Sequence, residues 1–301
     1  MPVCAIHAMS SSTSPIRQDW LPRLVVAPSF IASLLFIYGF MAWNGYLSLS
    51  ASRILPNYDF VGLQQYLTLF ESDRFRVAMT NMGIFGALFI GGAMAVGVLL
   101  AILLDQKVRG EGVLRTIYLY PMAVSMIVTG TAWKWILNPG LGLEHLMHLW
   151  GFEGFQFDWL VRQDTAIYCV VIAGVWQSAG FVMALFLAGL RGIDDSIIKA
   201  AQVDGASLPR IYWSIILPSL RPVFFSTLMV VAHMAIKSFD LVMALTAGGP
   251  GYATDLPATF MYATAFTRGQ IGLGAASATV MLATVAAIVV PYLYSELRSK
   301  K

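Results

Sequence analysis

The chain has 301 residues, of which 58% are hydrophobic and only 12% charged, and a formal net charge of +3. Its mean hydropathy is +0.71. An ordinary soluble domain carries about 25% charged residues, so a chain this poor in charge cannot cover its own surface in water, and lipid must be its main solvent. The small positive balance calls for no nucleic-acid partner. Cys4 in the N-terminal tail and Cys169 inside an apolar run offer no disulfide and no redox chemistry.

The opening residues, MPVCAIHAMSSSTSP, lack the basic start and long apolar stretch of a cleaved leader, and Met9 would serve as a start as well as Met1. Residues 1–23 read as a cytoplasmic tail. About 20 apolar residues cross the roughly 30 Å of bilayer hydrocarbon. Six stretches of that kind follow, over 24–47, 78–104, 113–137, 166–190, 223–245 and 273–294. The expected fold is therefore all-α, a polytopic membrane domain over 24–296 with about six transmembrane helices, closed by a cytoplasmic tail over 297–301. The second stretch carries Gly83, Gly86, Gly91, Gly92 and Gly97, small residues that let helices approach closely in lipid. Pro121 falls inside the third and should kink it.

Lysine and arginine set the orientation. With the N-terminus in the cytoplasm, the inner segments hold Arg17 and Arg23, then Lys107, Arg109 and Arg115, then Arg191, Lys199, Arg210 and Arg221, and finally Arg298, Lys300 and Lys301. The outer segments hold only Arg53, Arg74, Arg76, Arg162 and Arg268. Positive charge concentrates on the inner side of membrane proteins, so both termini are expected in the cytoplasm.

The longest inner loop, 191–222, is patterned. Asp194, Asp195 and Ser196 can cap a helix, and acidic groups suit its N-terminus. Ile197, Ile198, Ala200, Ala201 and Val203 give that helix an apolar side, and Gly205 can take the left-handed conformation that ends it. A second amphipathic stretch, with Ile211, Tyr212, Ile215, Ile216 and Leu217, runs on to Pro218. A short helix lying on the inner face suits docking into a groove of a partner.

Lys199-Ala200-Ala201, Gly205, Ile215 and Leu217-Pro218 keep every spacing of the coupling-loop motif of ABC-importer permeases, which this loop resembles. The resemblance extends over nearly the whole chain. It implies the type I importer permease fold, with the short helix seated in a cleft of an ATPase subunit. Lys199 stands where the motif has Glu, which puts any ion pair of that Glu in doubt. Docking by shape through Ala200, Ala201 and Gly205 is less affected, and Asp204 could supply the missing negative charge. The resemblance further implies a second permease, two ATPase subunits and a periplasmic or lipid-anchored sugar-binding protein as partners. ATP and Mg would be bound by the ATPases, so this chain holds no cofactor and is not itself an enzyme.

Leu245-Thr246-Ala247-Gly248-Gly249-Pro250, followed by Thr254, is similar to the signature of carbohydrate-importer permeases, and Tyr262, Phe266, Gly272 and Ala275-Ala276 continue the pattern. The stretch is closest in wording to glucose/mannose-type permeases. Physically, Gly248-Gly249-Pro250-Gly251 cannot continue a helix and makes a tight turn.

Ionisable groups inside a span are costly and usually face a cavity or a partner. His233, Lys237 and Asp240 are spaced by four and then three residues, which places them on one face of a continuous helix, where Lys237 and Asp240 could pair. That face would line a watery path, or form a polar seam against the second permease. Aligned through the coupling loop, Gln177, Ser178 and Phe181 of the fourth stretch fall where a related maltose-type permease contacts sugar, as do Ile236 and Lys237 of the fifth. Asp240 joins them as a candidate contact. A proton-coupled secondary transporter could instead use His233, Lys237 and Asp240 as a relay, but it would commonly show inverted repeats, and none is visible. Glu144, His145 and His148 have a metal-like spacing, but the rest of a metal shell is not evident and they read as an external amphipathic helix.

Overall fold

The computed structural model describes residues 20–299 apart from 56 and 107, so the expected tails fall largely outside the described residues. The chain divides into two units, Met1–Tyr46 and Leu47–Lys301. The described part of the first is a single apolar helix with a π-helical turn at Leu34–Tyr38. Its stretch Arg23–Ser48 is long and apolar enough to cross a membrane, and is called span 1.

In the second unit, Asp73–Asp105 (span 2), Ala166–Arg191 (span 4) and Ile271–Tyr292 (span 6) pass the same test. Two bent pairs complete the set of four to six crossings. Glu111–Ala123 and Met126–Ile136 form span 3, bent by 101°, and Pro209–Ser219 and Arg221–Ile236 meet at 66°, the latter helix being span 5. All six expected stretches are thus helical, but the third and fifth differ in kind from the expectation.

Span 3 was expected to kink at Pro121. The helix instead runs through Pro121 to Ala123, and the chain breaks at Val124 and Ser125, both extended. Proline removes one donor, yet its own carbonyl still accepts from Val124 N at 3.2 Å. The break is completed by Ser125, whose Oγ accepts from Val128 N and so caps a new helix. Span 5 was expected to be unbroken to 245. It ends at Ile236, and a separate helix, Phe239–Leu245, follows. Ser238 Oγ donates back to Met234 O at 2.9 Å, the local bond by which serine competes with the helical ladder.

Span 2 packs along span 4 through small residues. A Cβ on Gly97 would lie 2.5 Å from the Val182 side chain, so only glycine permits this approach. Phe85 and Phe89 stack with centroids 5.2 Å apart, and both are buried with Val170, Met183 and Phe186. Because lipid tails are as apolar as these side chains, contact and dispersion rather than water exclusion hold the pair together. Span 3 crosses span 4 at Gly180, where a Cβ would fall 2.0 Å from Tyr118 O. The helix Phe239–Leu245 packs on the second half of span 3, with Gly130 against Leu241 O and Ala244.

Span 2 defines two poles. Asp105 at its end bonds to Tyr212 of the 191–222 loop, and Arg74 at its start pairs with Asp255.

Candidate functional site

At the loop pole, the helix Asp195–Val203 is closed at both ends by its own chemistry. Asp194 Oδ1 accepts from Ser196 N at 2.8 Å, and this bond holds the Asp194 carboxyl below its ordinary value. At the other end Gly205 N donates to Gln202 O and Ala206 N to Ala201 O, both at 3.0 Å. Gly205 sits at φ +77°, the left-handed position this paired closure requires. The expected single apolar side is in fact divided. Ile198 and Ala201 turn toward the chain's own core, whereas Ile197, Lys199, Ala200, Asp204 and Gly205 are exposed and Val203 is 88% exposed. Residues three and four apart share a helix face, so Ser196, Lys199, Ala200 and Val203 present one outward surface. Ala201, expected to dock a partner, is instead a core residue at 9% exposure.

The helix is seated by the segment behind it. Ile211, Ile216 and Leu220 are buried in the main core. Tyr212 donates to Asp105 Oδ2 at 3.2 Å and accepts from Gln106 Nε2 at 2.7 Å. Glu111 and Arg191 form an ion pair that joins the start of span 3 to the end of span 4.

Midway between the poles lie the two breaks. Gln177 is buried, and its Nε2 donates to Val124 O at 2.8 Å, satisfying the carbonyl freed where span 3 breaks. Among the described residues its Oε1 has no hydrogen-bond partner, nor have the buried hydroxyls of Ser178 and Thr129. Ser178 and Ile236 are buried and Phe181 is half-buried. Lys237 caps the C-terminal end of span 5 and Asp240 lies in the first turn of the next helix, so His233, Lys237 and Asp240 do not share one continuous helical face. All three are exposed. Lys237 and Asp240 form no ion pair among the described residues, contrary to expectation. A cavity of about 480 Å³ adjoins the span 3 break, walled by Leu100, Tyr118, Pro121, Trp176 and Gly180.

At the far pole the 246–260 segment is tied to span 2. Arg74 Nε donates to Asp255 Oδ2 at 2.5 Å, and Thr259 Oγ1 donates to Asp255 Oδ1 at 2.8 Å. Asn81 Nδ2 donates to Asp255 O at 3.0 Å, and the Arg74 guanidinium lies 4.5 Å from the Tyr252 ring centroid. Within the segment Thr246 and Thr254 share a 2.7 Å hydrogen bond, and Gly248 and Gly251 take positive φ in the expected turn. Arg74, Asn81 and Asp255 were not legible as a site, because their pairing spans 181 residues of sequence. The metal-like trio is accounted for otherwise. Glu144 accepts from Phe157 N and His148 Nε2 donates to Phe155 O, so both hold a loop.

Apolar helices, two of them broken, with a capped helix presented at one pole, define an all-α membrane permease. Residues 93–299 match the family described as "Binding-protein-dependent transport system inner membrane component". A probable ABC transporter permease of Pyrococcus horikoshii is 38% identical, over 92% of this chain and 97% of that protein. The xylose/arabinose import permease of Haloferax volcanii is 35% identical over 88% and 84%. The sn-glycerol-3-phosphate transport system permease of Yersinia enterocolitica is 30% identical over 94% and 96%. In structure, the chain resembles a crystal structure of a bacterial ABC transporter involved in import of the acidic polysaccharide alginate. The TM-score is 0.82 at 22% identity, covering 95% of this chain and 98% of that one, and this shows the type I importer permease fold. The chain belongs to the family of inner-membrane components of binding-protein-dependent transport systems.

Proposed function

We propose that this chain is one permease of an ATP-driven importer for a small sugar of the glucose/mannose type. It would pair with a second permease over two ATPase subunits that bind ATP and Mg, and receive substrate from a periplasmic or lipid-anchored binding protein. The carrying observation is the helix Asp195–Val203, capped at both ends and offering Lys199, Ala200 and Val203 outward. Val203, an apolar residue 88% exposed on that helix, would be covered on docking. In this reading the loop pole is cytoplasmic, with both termini on that side, and the helix docks into the ATPase. Lys199, Ala200, Val203, Asp204 and Gly205 form the contact, and Ala201 anchors it from behind.

Irregular backbone at membrane depth is tolerated where it is enclosed by protein or lines a cavity. Broken helices commonly mark transporter substrate sites. The breaks at 124–125 and 237–238 flank Gln177, Ser178, Phe181, Ile236, Lys237 and Asp240, which we assign to the sugar path. An unpartnered buried polar atom is costly, so Gln177 Oε1 and Ser178 Oγ suit sugar hydroxyls as the spans rearrange in alternating access. Against the proton-relay alternative stands the break at 237–238, which takes His233, Lys237 and Asp240 off one continuous helical face.

A second reading, a phosphorylated substrate, is favoured by exposed Lys237, which forms no ion pair among the described residues. One assay decides. Radiolabelled glucose uptake is measured in proteoliposomes of the co-purified complex, with binding protein outside and ATP or a non-hydrolysable analogue inside. Uptake that requires hydrolysis and is competed by mannose supports the first reading. Absence of glucose uptake, with hydrolysis-dependent uptake of radiolabelled sn-glycerol 3-phosphate in its place, supports the second, and uptake indifferent to ATP refutes both.

A further inference from the structure

Five arginines lie at the pole opposite the coupling helix, and three of them have a carboxylate partner within the chain. Arg74 pairs with Asp255, Arg76 with Asp73, and Arg162 with Asp164 and Asp158. Arg53 and Arg268 form no ion pair among the described residues. These two, far apart in sequence, line one cavity of about 550 Å³ together with Asn57 and Gly269.

Their meeting is built into the backbone. Ile54 N donates to Gly269 O at 3.0 Å, and Gly272 N to Ser52 O at 2.9 Å, so the two segments are stitched on either side of Arg53 and directly after Arg268. Gly269 takes φ +68°, and a Cβ there would lie 2.6 Å from the Ile54 side chain, so the close approach depends on glycine. An adjoining cavity of about 180 Å³ shares Arg53 and is bordered by Gln65, Thr68 and Gln270.

Basic residues are selected against on the outer side of a membrane. Two guanidiniums that line one cavity there, with no ion pair among the described residues, suit an anionic partner. The planar guanidinium fork matches a carboxylate in two parallel hydrogen bonds. The amides and hydroxyl of the adjoining cavity suit the polar rim of a protein interface and offer little to the acyl chains that a lipid would bring. The family's transport systems depend on a binding protein, and in the orientation proposed above this pole faces it.

We propose that Arg53 and Arg268 form a docking seat for surface carboxylates of the substrate-binding protein. This rests on the importer reading and its orientation. The seat sets how tightly the binding protein docks and contributes to its electrostatic steering, which falls with ionic strength.

The test uses the whole complex in phosphatidylcholine nanodiscs, with ATPase rate followed against the concentration of its sugar-loaded cognate binding protein at 50 and 300 mM salt. Arg53→Gln and Arg268→Gln should each raise the half-saturating concentration about fivefold, the worth of roughly 1 kcal/mol, while the maximal rate is kept. Raising salt should weaken docking of the parent and leave the double variant nearly unmoved. Arg268→Glu should be rescued by a binding protein in which one docking carboxylate is replaced by lysine. Unchanged half-saturation in the double variant overturns the seat. So does loss of the second permease from the purified variant, which assigns the arginines to the subunit interface. A defect that appears only when phosphatidylglycerol is added assigns them to lipid and likewise overturns it. A parent complex that binding protein does not stimulate refutes the importer reading itself, and the seat with it.

Discussion

The Arg74–Asp255 pair makes a quantitative prediction because its two members are buried to different degrees. The Asp255 side chain is 1% exposed and that of Arg74 16%. Breaking a buried pair by removing one partner costs about 3–5 kcal/mol, since the other charge is left uncompensated. The two ways of breaking it are not equivalent. In Arg74→Ala the carboxylate of Asp255 stays enclosed, keeping only the Thr259 hydroxyl on its other oxygen, so the upper end of that range is expected. In Asp255→Asn the amide oxygen can still accept from Thr259, and the long arginine can turn its head to water. The lower end or less is expected there. In the double variant Arg74→Ala/Asp255→Asn both charges are gone, so its cost should fall short of the summed singles by about 2 kcal/mol. Unfolding of the purified complex in mild detergent, followed by tryptophan fluorescence in a double-mutant cycle, measures all three. A coupling below about 0.5 kcal/mol, or Asp255→Asn proving the more damaging single change, would refute the reasoning.

Gly180→Ala places a methyl group 2.0 Å from Tyr118 O. Overpacking of this kind costs about 1–3 kcal/mol, and a lower Tm checks it, whereas an unchanged Tm would show that spans 3 and 4 separate freely. Gly205→Glu forces a residue bearing a Cβ to φ +77°, a conformation costing about 1–2 kcal/mol, on the surface proposed to meet the ATPase. It should abolish uptake while leaving substrate affinity of the binding protein intact, and unimpaired uptake would count against the docking role. Asp194 is held below its ordinary value of 3.8, chiefly by the Ser196 backbone N–H and then by its side chain. A depressed carboxyl contributes stability that is fully present above the unfolded value and is lost as pH falls through the folded one. Hydrogen exchange over 196–203, corrected for its intrinsic pH dependence, should therefore show constant protection from pH 7 to 5 and decline only below about pH 4. Protection lost already at pH 6 would assign the cap to another group.

Much of this molecule follows from its amino-acid order alone. Crossing hydrocarbon requires a run of apolar residues with every backbone group satisfied inside the helix, so the six stretches, the all-α class and the membrane setting are local properties. The helix Asp195–Val203 is local as well, because its caps use residues within five positions of one another: Asp194 with Ser196, Ala201 with Ala206. Which of its apolar residues face inward is not local. Ala201 and Val203 read alike in sequence, and only the core behind the helix buries one and leaves the other bare. The same holds for the broken spans. Pro121 announced a disturbance, but its place at Val124 depends on Gln177 of another helix accepting the burden of the freed carbonyl. His233, Lys237 and Asp240 satisfied helical spacing, yet Ser238 bonding back to Met234 ended the helix between them. Arg74 meeting Asp255, and Arg53 lining one cavity with Arg268, bring together residues whose separation no periodicity encodes. Periodicity reports what one element presents to its surroundings. Which surroundings it meets is decided by how the helices close on one another, through glycines at Gly97, Gly130 and Gly180 that let backbones touch.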